Sequence, residues 1–277
     1  MSSEVLLFNN VTSGGGDTPA PTAVLTTDSL YTHLDGKDID GKNWHDRMGH
    51  YNFVSDASLG LTTSAYNLTC VKMLRNYKRA YCSSFKFSAF PFTLEFTVKI
   101  SAAQSHSILC SCITLSKFKI CCNGDSHLGM YSTNAAPNEV TDLIPASSIT
   151  DNTLHVIDYV FVSSGKLLVY LDGVLTTTHT STTFSNNMLS QTGFQLGASN
   201  DGAGSVFTGH LYSFRFYKKE LSEFEIRCNC LYEASQGRID VASDTEQSYF
   251  LKKVELIRWA EMLTFIFMYL TKIINDK

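Results

Sequence analysis

The sequence predicts an all-β fold, a two-sheet antiparallel jelly-roll sandwich, followed by a C-terminal α-helix. Three observations carry that expectation. Phe92–Ile100, FTLEFTVKI, alternates Phe92, Leu94, Phe96, Val98 and Ile100 with Thr93, Glu95, Thr97 and Lys99, the period-two pattern of a strand with one apolar face. Lys166–Thr178 reads as two apolar runs joined by Asp172-Gly173, residues that tolerate the positive φ angles of a tight hairpin. Phe207–Ile226, FTGHLYSFRFYKKELSEFEI, is a strand opened by glycine that runs into a capped helix start. Short strands punctuated by turn residues indicate packed antiparallel sheets.

In chain order, residues 1–27 read as a leader: an apolar tab at Val5–Phe8, then a Gly/Pro/Ser/Thr linker at Ser13–Thr22 that cannot bury a core. Leu30–Leu34 reads as a strand, and the rest of Asp28–Val54, rich in Asp, Gly and Lys, as an ordered loop. Further strands are expected at Phe92–Ile100, Ser107–Ile113, Lys117–Cys122, Leu128–Ser132, His155–Val162, Lys166–Leu171, Val174–Thr178, Gly193–Leu196 and Gly209–Tyr217. In the last of these, alternation puts Tyr212, Phe214 and Phe216 on one face and Leu211, Ser213, Arg215 and Tyr217 on the other. Ser222 and Glu225 have capping-box spacing, with Leu221 and Ile226 placed as a hydrophobic staple.

From about Thr245 the pattern turns helical, with Ser243 and Glu246 at capping-box spacing. Leu256, Trp259, Leu263, Ile266, Leu270 and Ile273 step by 3, 4, 3, 4, 3, the seam of a coiled coil. This helix has three readings: packed on its own sandwich, joining copies into a homo-oligomer, or lying on a membrane surface. Glu255, Arg258, Glu261 and Lys272 interrupt it, so no transmembrane span is expected. The expected organisation is a tab and linker at 1–27, a sandwich at 28–236 and an amphipathic helix at 237–277.

The bulk numbers bound the partners. A chain of 277 residues, 44% hydrophobic, 12% aromatic and 17% charged, is a globular, strand-rich composition. A net charge of −4 and a pI near 6.0 argue against non-specific nucleic-acid binding. MSSEVLLFNN has no basic start and too short an apolar core for a secretory signal, so folding in a reducing cytosol is expected. Its eight cysteines then read as buried thiols, and the absence of any C-x-x-C argues against a structural zinc.

Three segments resemble a known family. Trp44, Asp46 and Gly49 fit a W-x-D-x-x-G pattern in LYTHLDGKDIDGKNWHDRMGH. Leu154–Leu175 fits a strand–turn–strand unit with Tyr170, Asp172 and Gly173. Gly209–Ile226 fits G-x-I-x-x-[VF]-R-[IF]-Y-x-x-x-L-[ST]-x-x-E-I, with Leu211 where the pattern has Ile. The chain resembles the laminin-G-like, concanavalin A-like lectin/glucanase sandwiches, also called pentraxin-like, in the versions common in bacteria and their phages. The resemblance implies two curved antiparallel sheets whose concave face or loop rim binds carbohydrate or protein, often with calcium.

The residues were then weighed for chemistry. A glucanase of this kind needs carboxylates on alternate positions of one strand, as in E-x-D-x-x-E; no such motif occurs, and Glu95 reads as alone on the solvent face of its strand. No catalytic residue is assigned. Calcium is the candidate cofactor, with oxygen ligands from Asn200 and Asp201 in GASNDGAG or from Asp38 and Asp40, beside Asp35, in DGKDIDG. Tyr77, Tyr81 and Tyr131 are the candidate ligand platforms, while Trp44 reads as structural. Lys72, Arg75, Lys78 and Arg79 join Tyr77 and Tyr81 in a basic-aromatic strip that reads first as a solvated edge strand, and otherwise as a contact for an anionic glycan or a nucleic acid.

The expected function is a non-enzymatic module that binds a glycan or a host-surface polymer, on a virion, a tail appendage or a cell surface. A structural module contacting protein neighbours is the second reading, and a glucanase-type hydrolase the third.

Overall fold

The computed structural model describes residues 23–55, 60–63, 69–73, 79–100, 107–113, 118–122, 128–132, 139–144, 148–149, 153–163, 165–180, 189, 192–197, 207 and 209–239. Leu25–Ile239 is one compact unit. The linker, the seam from Leu256 to Ile273, Tyr77, Asn200 and Asp201 lie outside the described residues.

Sixteen strands and one helix are described. The strands are β1 Leu30–Asp40, β2 Asn43–Asp46, β3 Phe53–Ser55, β4 Gly60–Thr63, β5 Thr69–Met73, β6 Ala80–Cys82, β7 Phe92–Ile100, β8 Ser107–Cys112, β9 Phe118–Cys122, β10 Leu128–Ser132, β11 Glu139–Ile144, β12 Leu154–Ser163, β13 Lys166–Leu171, β14 Val174–Thr180, β15 Phe194–Leu196 and β16 Gly209–Tyr217. The helix, α1, is Glu223–Ser235. One antiparallel path runs β11-β10-β9-β8-β15-β6-β3-β2-β1-β16-β7-β12-β13-β14, with β5 on β16 and β4 on β5. Phe53 of β3, Phe194 of β15, and Phe96 and Phe214 of the β7–β16 pair share one core cluster, so the path closes on itself as two layers. Thr177 of β14 donates to the Leu143 carbonyl of β11 at 2.7 Å, so the path's two ends meet.

Aromatic rings fill the space between the layers. Phe194 stacks on Phe214 at 5.5 Å and on Phe85 at 4.9 Å, and Phe92 stacks on Phe161 at 4.6 Å. Such pairs contribute about 0.5–1.5 kcal/mol each beyond their buried area. Cys82, Cys110 and Cys112 sit in the same cluster as free thiols. Burial pushes the Cys112 thiol up to about 12, so it behaves as a small apolar side chain.

The Asp172-Gly173 hairpin forms as expected, with φ of 50° and 81°. Asp172 does more than turn. It accepts from the Val156 amide at 2.8 Å and meets His155 Nδ1 at 2.7 Å, tying the hairpin back to β12. Gly209 opens β16 because a Cβ there would lie 2.4 Å from the Lys99 carbonyl. Ser222 and Glu225 make the reciprocal capping box, and Leu221 and Ile226 are buried together.

Four expectations change. β1 runs to Asp40, so the acidic segment expected as a loop is strand, and Asp35, Asp38 and Asp40 are spread along it. Six strands, β2 to β6 and β11, were not expected; three to six residues seldom establish a period. Leu211 joins Phe214 and Phe216 in the core while Tyr212 packs with Leu154 on the other face, because a bulge between Leu211 and Ser213 shifts the alternation. Lastly, β5 and β6 each lie between two strands, so the strip around Lys72 and Arg79 is not a sheet edge.

Candidate functional site

Strand pairing in the second layer lines up one continuous row of Cα positions. Cα pairing runs from Asn43 to Val54, Tyr81, Gln195, Ser111, Lys119, Tyr131 and Glu139. Phe53, Ala80, Cys82, Phe194, Leu196, Cys110, Cys112, Phe118 and Ile120 are core residues, which sets their strand neighbours Val54, Tyr81, Gln195, Ser111 and Lys119 on the opposite side by the pleat. Two of the tyrosines singled out from the sequence, Tyr81 and Tyr131, therefore fall in one row. They are four strands apart, a span of roughly 19 Å at the usual strand spacing.

Polar contacts organise the Tyr81 end. Gln195 is buried and donates to Ser111 Oγ at 2.8 Å, while its carbonyl oxygen accepts from Arg79 Nη1 at 2.9 Å. The Arg79 guanidinium lies over the Tyr81 ring, 4.8 Å from its centre. Arg79, Tyr81 and Lys119 are partly exposed. Gln195 and Ser111 thus form a buried footing that fixes a cation over an aromatic ring at the surface. The sequence offered Tyr81 and Arg79 as neighbours in a strip; it gave no sign of Gln195, whose role depends on the register of β15 between β6 and β8.

The β1–β2 corner holds the W-x-D-x-x-G residues. Trp44 is buried and donates its indole N–H to the Asp35 carbonyl at 2.7 Å. Asp46 accepts from the amides of His33, Met48, His50 and Tyr51 at 2.8 to 3.0 Å. The motif is a loop clamp. An open pocket of about 410 Å³ beside it is lined by residues that include Asp38, Asp40, His45 and Arg47. Asp38 is engaged by Arg47 Nε at 2.6 Å, and no three His, Cys, Asp or Glu side chains converge on a metal position among the described residues. Asp38 and Asp40 therefore do not fit a calcium cage, which needs six or more oxygens.

The other layer carries a buried ionic cluster under α1. The outer faces of β1, β16, β7, β12 and β13 align His33, Arg215, Glu95, Asp158 and Tyr170 in register. Arg215 donates to Glu95 and, with its other amino group, to Glu233 of α1. Glu233 also accepts from Arg238 at 3.0 Å, and Arg238 grips both Asp35 oxygens at 2.9 Å. Asn229 of α1 donates to Glu95 at 2.6 Å and to the Tyr217 hydroxyl at 2.9 Å. Glu95 is thus fully buried, not facing water as the alternation implied: α1 and Arg238 cover this face and pair its polar groups.

Electrostatics follow from that enclosure. Burial would raise the Asp35 and Glu233 carboxyls, but Arg238, the Lys37 amide and Arg47 at Asp35, and Arg215 then Arg238 at Glu233, more than reverse it and hold both below the ordinary carboxylate range. Burial, then Arg215, Arg47 and Arg238, holds His33 well below its usual value; it is neutral and its Nε2 accepts from Arg215 Nε at 3.3 Å. Glu95 and Asp158 stand directly opposite each other, the kind of carboxylate pair a retaining glycosidase uses. Both are fully buried, which closes this pair to a sugar.

Comparison with known proteins agrees with this architecture. No curated protein matches the chain. Domain 4 of AbnA, an extracellular arabinanase from Geobacillus stearothermophilus solved with arabinotriose, superposes with a TM-score of 0.55 at 15% identity, covering 73% of this chain and 98% of that one. The receptor-binding domain of botulinum neurotoxin D gives 0.55 at 17% identity over 75% of this chain; the match spans 53% of the toxin chain, about half. The Trypanosoma rangeli sialidase gives 0.55 at 15% identity over 76% of this chain and 34% of its own. At these identities the likeness is one of fold, shared by binding domains and by chains with hydrolase activity. The family model of the concanavalin A-like lectin/glucanases matches residues 76–227, more than half of the chain, and this protein belongs to that superfamily.

Proposed function

We propose that this chain is a non-enzymatic carbohydrate-binding module that recognises acid-bearing glycans on the Tyr81 row. The observation that carries the reading is the Arg79 guanidinium held over Tyr81 by buried Gln195 and Ser111. A sugar ring meets an aromatic edge and a fixed donor fork there, and a guanidinium pairs with a carboxylate or sulfate in bidentate geometry. Lys119 lies farther along the same row, so an extended anionic chain meets a second cation. Structural neighbours support the class: one was solved with arabinotriose, and cell entry of botulinum neurotoxin type C is described as dependent on two ganglioside molecules.

The non-enzymatic reading rests on the carboxylate pair being enclosed under α1. Attachment to a surface, on a virion or a cell, is the role we propose for such a module. The heptad seam at Leu256, Trp259, Leu263, Ile266, Leu270 and Ile273 would multiply weak single-site binding by joining copies. Light scattering on the chain with and without residues 243–277 tests that part; an unchanged monomer mass removes it.

The direct test is an array of acidic and neutral polysaccharides probed with the full chain, with and without a calcium chelator. Retention of uronate, sialylated or sulfated glycans is expected, with at least a tenfold loss for Arg79→Gln and for Tyr81→Ala. Retention of no glycan at all would overturn the reading and favour a module that contacts only protein. Loss with chelator would return calcium to the account through Asn200 and Asp201.

A further inference from the structure

Asp158 is anomalous in this fold. It is fully buried, and among the described residues no N–H or hydroxyl donor reaches either carboxyl oxygen, a costly state for a charged group; its hydrogen-bond neighbour is another acid, Glu95, which it can meet only by carrying a proton. Its surroundings explain why no cation compensates it. From β7 it faces Glu95; from β16, Arg215 and Tyr217; from β13, Tyr170; from the β13–β14 turn, Asp172, itself paired with His155; and from α1, Cys230, which Glu233 in turn approaches. Arg215 is the guanidinium that acts on it, and its two amino groups are already committed to Glu95 and Glu233. A second anion beside Glu95 would therefore stand unneutralised beneath the helix.

We propose that Asp158 is a proton-held latch: the group keeps its proton against Glu95 while α1 is seated, and its ionisation lifts α1 from the sheet. The direction of its titration agrees, since burial, then the charge of Glu95 and the hydrogen bond with it, raise this carboxyl well above the ordinary range. The contacts that α1 would lose are those already described: Glu233 to Arg215 and Arg238, and Asn229 to Glu95. Cys230, buried beside Asp158 with its thiol raised by burial and by the neighbouring acids, would become exposed in the lifted state. The device responds to rising pH, opposite to the usual loss of carboxylate pairing in acid.

The test compares the full chain with Asp158→Asn, which keeps shape and removes the titration. In guanidinium denaturation from pH 5 to pH 9, the folding constant of the variant relative to the parent should rise about tenfold per pH unit while the folded parent retains a proton that its unfolded chain has lost. Hydrogen exchange, corrected for its intrinsic pH dependence, should show residues 223–235 opening before residues 92–100 in the parent at high pH, but not in the variant. A ratio that stays constant with pH overturns the proposal, as does α1 protection that falls only with that of β7. Should the variant fail to fold, the ¹³C shift of the Asp158 carboxyl in the parent decides: it should stay flat through pH 4–5, and titration there with ordinary aspartates contradicts the latch.

Discussion

Arg215 has two amino groups and two carboxylates to satisfy, Glu95 on the neighbouring strand and Glu233 on the helix. Replacing it with Met would leave Glu95 buried with the Asn229 amide in place of a cation, and Glu233 with Arg238 alone. Breaking a buried pair from one side costs about 3–5 kcal/mol, so the guanidinium midpoint of Arg215→Met should fall by that equivalent; a loss under about 1 kcal/mol would mean the cluster relaxes into water. Its residues were legible one at a time and illegible as a group. Arg215 and Glu95 sit on strands read correctly from alternation, yet alternation labels their face as wet. Only the chain returning as α1, with Glu233 and Asn229, and then Arg238 behind it, turns that face into an interior. The Tyr81 row has the same character: Tyr81 stood out as an aromatic beside arginine, whereas Gln195 gains meaning only from its pairing with Tyr81 and Ser111.

At the scale of elements, local chemistry predicted the pieces whose signals are redundant. The α1 start has a cap, a reciprocal glutamate and a staple, and Ser222→Ala should cost about 1 kcal/mol in thermal or chemical denaturation. The Asp172-Gly173 turn has a sharper requirement. Gly173 sits at φ 81°, and a Cβ there meets Arg227 Cγ and Cys230 Sγ of α1 at 3.4 Å. Gly173→Ala should cost about 1–2 kcal/mol from the left-handed backbone, with reduced hydrogen-exchange protection in α1 as well as in the hairpin; a loss confined to the hairpin would show that the helix does not lean on the turn. Strands of three or four residues, such as β3, β6 and the unexpected β2, escaped notice because so few positions cannot separate a period of two from chance. The Leu211–Ser213 bulge escaped because it is a property of pairing with β7 and not of composition.

For the whole molecule, the fold class was readable because alternating strands, tight turns and family patterns agreed. The ligand face was readable only in part, because binding faces depend on which short strands become neighbours. The acidic limb of stability follows from the cluster. Asp35 and Glu233 have folded values below their ordinary range, so their contribution is present above the unfolded carboxylate range and is lost as pH falls through the folded values. Between pH 7 and pH 3 the parent should lose stability more steeply than Glu233→Gln, although the variant starts lower; parallel curves would deny the pairing. Asp158 has the opposite sign, its contribution greatest at low pH and lost as pH rises.

The Tyr81 row is the surface expected to meet a glycan. Hydrogen–deuterium exchange of the full chain, with and without a saturating acidic polysaccharide, reads this directly. Protection is expected at residues 79–82, 109–112 and 194–196, with residues 223–235 unchanged. Protection instead at the Asp38–Arg47 corner or along α1, with the Tyr81 row unmoved, would contradict the assignment of the binding face.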